Sequence, residues 1–258
     1  MIRKETPYPS PSPVGGILIR NVIASFKERG FSLPFTEPVF IACSAGIDSM
    51  VLAHLIGRYG RRIIDPEKLT LLHFDHGWRP ESKTLEPEGV RQLAEQLGLN
   101  FKSVVLPTAK ENQAADNLEH DARLKRQAEY KKLAGASKNA TARWVWTAHH
   151  QDDVVETLVW RFFRGELMHQ VQGILFHDDP VLRPFLQVTR AQIQDYALAE
   201  GVKYFEDASN QDPSRMRAFL RQKLFPLIEI HFPGFKSSVF KYTEHSTEHP
   251  SEQKTELK

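Results

Sequence analysis

Ser44, Gly46, Asp48 and Ser49 crowd the turn that follows the apolar run "VFIAC" and precedes a second apolar stretch. A strand that passes through small polar residues into a helix aims backbone N–H groups and the positive end of the helix dipole at one point. That point suits phosphate. Ser44 and Ser49 can add hydroxyl donors, and Gly46 lets the backbone come close to the oxygens. Asp48 would repel phosphate directly, so its use is to hold Mg²⁺ or to cap the helix. The Lys of a Walker A loop is missing, and capping alone remains a competing explanation of the turn.

A second cluster, "AHHQDDVVET", carries His149, His150, Asp152, Asp153 and Glu156. His149, Asp153 and Glu156 are spaced as neighbours on one helical face. A carboxylate pair there could bind Mg²⁺; zinc ligation and plain capping are the alternatives, and hard carboxylate coordination suits Mg²⁺ better. Arg123 and Arg126 lie one turn apart on a basic helix, where Glu119 could form an ordinary ion pair with Arg123. Arg215, Arg217, Arg221 and Lys223 surround an otherwise apolar helix and follow "DASNQD", in which Asp207, Ser209 and Asn210 supply turn chemistry. A solvated face and phosphate neutralisation are both open readings of this cluster.

The elements that must position these groups alternate. "PVFIACS", "KLTLLHFDHG", "NFKSVVLP" and "ARWVWTAHH" read as strands, with helices over 49–57, 86–98 and 117–136 between them and another after Ala148. This order predicts an α/β fold with a doubly wound parallel sheet, in which ligands sit beyond the carboxyl ends of strands. A small helical C-terminal extension follows. The predicted organisation is a flexible Pro- and Ser-rich leader at 1–16, an α/β domain at 17–178, a helical part of the core at 179–236, and a fraying polar tail at 237–258.

The bulk composition restricts the class without naming it. The chain has 258 residues, 41% apolar and 26% charged, with a formal net charge of +2. It can bury a full core and shows no sign of a coiled coil or wholesale disorder. Cys43 is the only cysteine, which rules out an internal disulfide and any site needing several thiolates, and suggests a reducing, cytoplasmic setting. No apolar run approaches the roughly 20 residues of a membrane helix.

"SAGIDS" resembles the SGGxDS loop of the N-type ATP pyrophosphatases, whose fold is of the adenine nucleotide alpha hydrolase-like, Rossmann-like kind. "HFDHGWRPES", "NLEHDARLKRQAEY", "TAHHQDDVVETLVWRFFRG", "RPFL" and "DASNQDPSRMRAFLR" narrow the resemblance to the tRNA(Ile)-lysidine synthetase family, over about residues 37 to 230. The resemblance implies ATP and Mg²⁺ as cofactors, and tRNA(Ile) with a CAU anticodon and L-lysine as partners, with no membrane; a homodimer stays open. The wobble cytidine would be adenylylated at C2, and lysine would then displace AMP.

The implied roles follow the motifs. Ser44, Ala45, Gly46, Ile47, Asp48 and Ser49 would hold the pyrophosphate end of ATP, with His73, Asp75 and His76 on the adenosine side. Asp48, His149, Asp153 and Arg123 would be catalytic, and Asp48, Asp153 and Glu156 would hold the metal. Arg126, Asn210, Arg217 and Arg221 would meet tRNA. Two positions depart from the family pattern. Ala45 stands where glycine is usual and is free of strain only with a negative φ, and Ala218 stands where Asn is usual. A tRNA 2-thiolation ligase of the same fold and a non-catalytic nucleotide- or tRNA-binding relative are the alternatives.

Overall fold

The computed structural model describes residues 10–75, 82–106, 115–135, 141–166, 173–206 and 216–248. His76, Asn210 and the "DASNQDPSR" turn lie outside the described residues. Helix α1 (Pro13–Glu28) begins at a proline whose missing N–H costs nothing in the first turn, and the Ser12 side chain accepts from Gly15 N. The helix therefore starts inside the span expected to be a mobile leader.

Four strands, β1 (Val39–Ala42), β2 (Leu69–Asp75), β3 (Asn100–Val105) and β4 (Trp144–Trp146), form a parallel sheet. It is completed by a hairpin of β5 (His177–Asp178) and β6 (Val181–Leu182). The strand order is β3-β2-β1-β4-β6-β5, with only β5 antiparallel. The period of two decides which residues go to which face. Val39, Ile41, Leu69, Leu71, Trp144, Trp146 and Leu182 join one buried cluster with residues of α1, α2 (Ile47–Tyr59), α3 (Ser82–Leu97), α5 (Gln151–Phe163) and α6 (Arg190–Glu200). Phe40, Leu72, Phe74, Val145 and Val181 join a second cluster with Tyr130 and Ala134 at the end of α4 (Ala115–Leu133). Burial on both faces is why the strands read as continuous apolar runs.

The hairpin and α6 belong to this same body, since β6 pairs with β4 and α6 packs on α1 and α2. A boundary at 178/179 would cut between paired strands. The basic segment forms α7 (Met216–Phe219), a π-helical turn (Leu220–Leu224) and α8 (Phe225–His231) in direct succession. Pro226 supplies the reason: it has no N–H to donate, and its ring crowds the carbonyl four residues back, so the ladder widens ahead of it. The expected polar tail instead forms α9 (Phe235–Glu248), which buries Phe240 and Thr243 and packs on α5. No helix among the described residues is long and apolar enough to cross a membrane.

Candidate active site

β1 is flanked by β2 on one side and β4 on the other, so consecutive connections diverge there and leave a crevice at the carboxyl ends of β1 and β4. Both polar clusters of the sequence lie at that crevice. The turn after β1 closes on itself through one hydroxyl: Ser49 Oγ accepts from Ser44 N at 3.1 Å and donates to Gly46 O at 3.0 Å. Ser49 is buried and spent on holding the loop, which replaces the expected role as a direct phosphate donor. Ser44 is exposed at the mouth. Helix α2 starts at Ile47 behind Gly46, which has no side chain to cap it, so its N-terminus stands beyond the carboxyl end of β1 without a cap from the residue before it.

Ala45 has φ +64°, the left-handed region, and is fully buried. The strained alternative is therefore the one adopted, yet the turn keeps its hydrogen bonds. A left-handed alanine costs about 1–2 kcal/mol. Replacing it by Gly removes that strain, but also removes a buried methyl worth about 0.8 kcal/mol and adds freedom to the unfolded chain. The opposing terms nearly cancel. We expect Ala45→Gly to shift Tm by no more than about 2–4 °C, whereas Ala45→Val, β-branched at positive φ, should lower it well beyond that. Thermal unfolding of the two variants checks the contrast, and equal losses would contradict it.

The second cluster is arranged differently from its expected helical face. α5 begins at Gln151 with His150 as its N-cap, so only Asp153 and Glu156 share the helix. His149 lies outside it and pairs with Thr147 Oγ1 through Nδ1 at 2.9 Å. Burial pushes the His149 imidazole down to about 4, helped by the positive charges of Arg183, Arg217 and His150 and opposed by Asp153. At neutral pH it is an uncharged donor and acceptor, not a cation that could pull on phosphate.

His150 sits among the carboxylates instead. Its Nε2 is 3.7 Å from Asp48 Oδ1 and 3.5 Å from Asp153 Oδ2, and its Nδ1 is 3.9 Å from Asp152 Oδ2. Burial opposes protonation, but Asp48, Asp153 and Asp152 together hold its pKa above the ordinary value. The doubled "HH" and "DD" contained this cluster, but spacing could not say which member of each pair turns inward. Asp152 was also overlooked as an anchor: it accepts from Arg190 N at 2.8 Å and pairs with Lys236 Nζ at 3.1 Å, tying α5 to α6 and α9.

Arg221 departs from its expected place at a tRNA surface. Its Nε and Nη2 both bond the Glu156 carboxylate, the latter at 2.8 Å, and Nη2 lies 3.4 Å from Asp153 Oδ1. Burial pushes the Glu156 carboxyl up against the pull of that guanidinium. Glu156, expected among the metal ligands, is thereby engaged by a cation of the protein. Among the described residues, no three His, Cys, Asp or Glu side chains converge on a common metal position. Among the described residues Asp48 Oδ1 is buried without a hydrogen-bond partner, and Asp153 faces it across His150. That pair fits Mg²⁺, which takes one or two carboxylates and completes its shell with phosphate oxygens and water.

The remaining candidates are scattered. His73 is buried, its Nδ1 3.0 Å from Cys43 O, so it fastens β2 to the end of β1 instead of lining an open adenosine pocket. Asp75 ends β2 and is half-buried. Arg123 is exposed and Arg126 half-buried on α4, and neither pairs with Asp48 or Asp153 among the described residues. Arg217 is exposed on α7, near enough for its charge to act on both His149 and Glu156.

A family model described as a PP-loop domain matches residues 20–228 of the chain. The chain is 36% identical over 223 residues to a tRNA(Ile)-lysidine synthase of Thermus thermophilus, covering 86% of this chain and 42% of that protein. It is 30% identical over 205 residues to a tRNA(Ile)-lysidine synthase of Chlamydia pneumoniae, covering 78% of this chain and 60% of that one. It thus spans about half the length of these curated relatives. Among solved structures, the U34-tRNA thiolase NcsA of Methanococcus maripaludis matches with a TM-score of 0.67 at 18% identity, covering 92% of this chain and 80% of that chain, a likeness of fold.

Proposed function

Because the chain belongs to the PP-loop domain family, we propose that it uses ATP to activate a nucleotide of tRNA and joins lysine to it. The observation that carries this reading is the uncapped N-terminus of α2 opposite the Asp48–His150–Asp153 group, at the point where the sheet connections diverge. The α2 N–H groups and the exposed Ser44 receive the pyrophosphate end of ATP. The C2 oxygen of the wobble cytidine of tRNA(Ile) attacks the α-phosphorus, and pyrophosphate leaves. The lysine amine then attacks C2, loses a proton, and AMP departs with the oxygen.

Mg²⁺ would be held by Asp48 and Asp153 and would offset charge on the triphosphate. His150, fixed between carboxylates, keeps those two groups from repelling each other. Neutral His149 is placed to accept or donate a proton. The thiolation alternative lacks a suitable sulfur carrier, since the one cysteine, Cys43, is buried and burial pushes its thiol far up.

The test is incubation with ATP, Mg²⁺, labelled lysine and a tRNA(Ile) transcript with a CAU anticodon, followed by nucleoside analysis. Lysidine, AMP and pyrophosphate are expected. ATP binding without any label entering tRNA would favour the non-catalytic relative. Arg217, exposed beside the crevice, should act on tRNA phosphate. Arg217→Ala is expected to raise the KM for tRNA and to reduce the salt slope of binding by about one unit or less. An unchanged tRNA KM with a raised ATP KM would assign it to the nucleotide instead.

A further inference from the structure

We infer that Phe205 is a positioning residue for the phosphate turn, holding Ala45 in its left-handed conformation from outside the loop. This rests on the reading of the 44–49 turn as the ATP site. A strained backbone persists only where its surroundings over-determine it, and the hydrogen bonds of the turn itself close Ser44 on Ser49 and Ser49 on Gly46, passing Ala45 by. The Ala45 carbonyl is instead taken by Phe205, whose N–H donates to it at 2.9 Å from 160 positions further along the chain. Fixing that carbonyl fixes the whole peptide plane, because the N–H of Gly46 must point the opposite way in a trans peptide. The direction in which the turn presents Gly46 N–H is therefore set by residue 205.

Phe205 has its own seat. Its ring lies against α3 at Gly89, where an added Cβ would meet Phe205 Cε2 at 2.6 Å. Only glycine leaves room for the ring at this distance. Phe205 thus bridges by itself the α3 surface, through its ring, and the Ala45 carbonyl, through its N–H. Neither Phe205 nor Gly89 carries a chemical group that reacts; their role is to set the shape of the loop that does.

Phe205→Pro removes the N–H, and Ala45→Gly removes the need for it, because glycine adopts positive φ without strain. ATP affinity is the first readout, with Mg²⁺ present. Phe205→Pro should weaken ATP binding about fivefold to thirtyfold, the factor that corresponds to a left-handed alanine, while tRNA affinity stays as in the native protein. Adding Ala45→Gly should restore most of the loss. Equal weakening with Ala45 and with Gly at 45, or no weakening at all, overturns the proposal. Amide hydrogen exchange of the ligand-free protein reads the clamp without ATP: exchange at residues 44–46 should rise in Phe205→Pro and return in the double variant. Native protein that binds no ATP, with this exchange pattern intact, would fail the ATP reading and leave the clamp standing. Should Phe205→Pro not fold, Gly89→Ala displaces the ring from its seat, and the same rescue by Ala45→Gly is expected; no loss, or no rescue, overturns the clamp.

Discussion

Arg221→Ala is expected to be the most destabilising single change in the site, costing about 3 kcal/mol, the low end for removing one partner of a buried ion pair. Glu156 is 1% exposed and relies on the two guanidinium bonds, and Asp153 loses a neighbouring positive charge at the same time. The low end is appropriate because the Arg221 side chain itself is 27% exposed and partly screened. In a chain of this size the loss corresponds to a fall in Tm of roughly 6–12 °C.

The deficit should depend on pH in a definite direction. Burial already raises the Glu156 carboxyl above its ordinary value, and removing Arg221 takes away what opposes that rise. A carboxyl whose folded pKa exceeds its unfolded one contributes stability at low pH that is lost as pH rises through the folded value. The variant should therefore lie closer to the native protein near pH 5 than at pH 8. Substituting both partners by apolar residues, Arg221→Met with Glu156→Leu, should recover much of the stability, because the Glu156 carboxylate is then no longer left buried without its partner, while Asp153 keeps its bond from His150 N. Denaturant unfolding at the two pH values decides the matter. A loss below about 1 kcal/mol at pH 8 would mean that the pair is a solvated contact of little energetic weight.

Asp48→Asn is expected to have the largest effect on chemistry, a fall of about 10²–10³ in the ATP-dependent step, the scale on which removing one transition-state electrostatic contact acts. The substitution keeps the shape of the side chain and removes only its charge. Among the described residues Asp48 Oδ1 has no hydrogen-bond partner, and its contact with His150 is a long one of 3.7 Å, so little structural role is lost. His150 loses one of three carboxylates that raise its pKa and retains Asp153 and Asp152. Tm should accordingly change little while ATP–pyrophosphate exchange collapses. Exchange at the native rate in the Asn variant would reduce Asp48 to a charge that merely complements the helix dipole.

How the site divides between sequence and fold can be read from individual residues. Ser44, Gly46, Asp48 and Ser49 were visible as a turn because a strand, a small-residue bend and a helix occupy consecutive positions. Local order of that kind is written in the spacing of apolar residues. The alternation of strands and helices likewise fixed the parallel sheet and the end of it where polar groups gather. Asp153 and Glu156 could be placed together because i, i+3 neighbours on a helix need no partner to bring them close.

Spacing gave no warning that the helix starts at Gln151, which removes His149 from that face and sets His150 among the carboxylates. A one-residue shift of a helix start rotates every assignment before it, and the start is set by capping against the rest of the site. The partnership of Glu156 with Arg221, and of Ala45 with Phe205, joins residues 65 and 160 positions apart. The amino-acid sequence by itself determined the sheet, the polar turn after β1 and the supply of carboxylates, since each arises from neighbours along the chain. Only the tertiary structure decided which carboxylate stays open to a cation and which is neutralised by an arginine, and what keeps the turn in shape, because those contacts exist only once distant segments have packed.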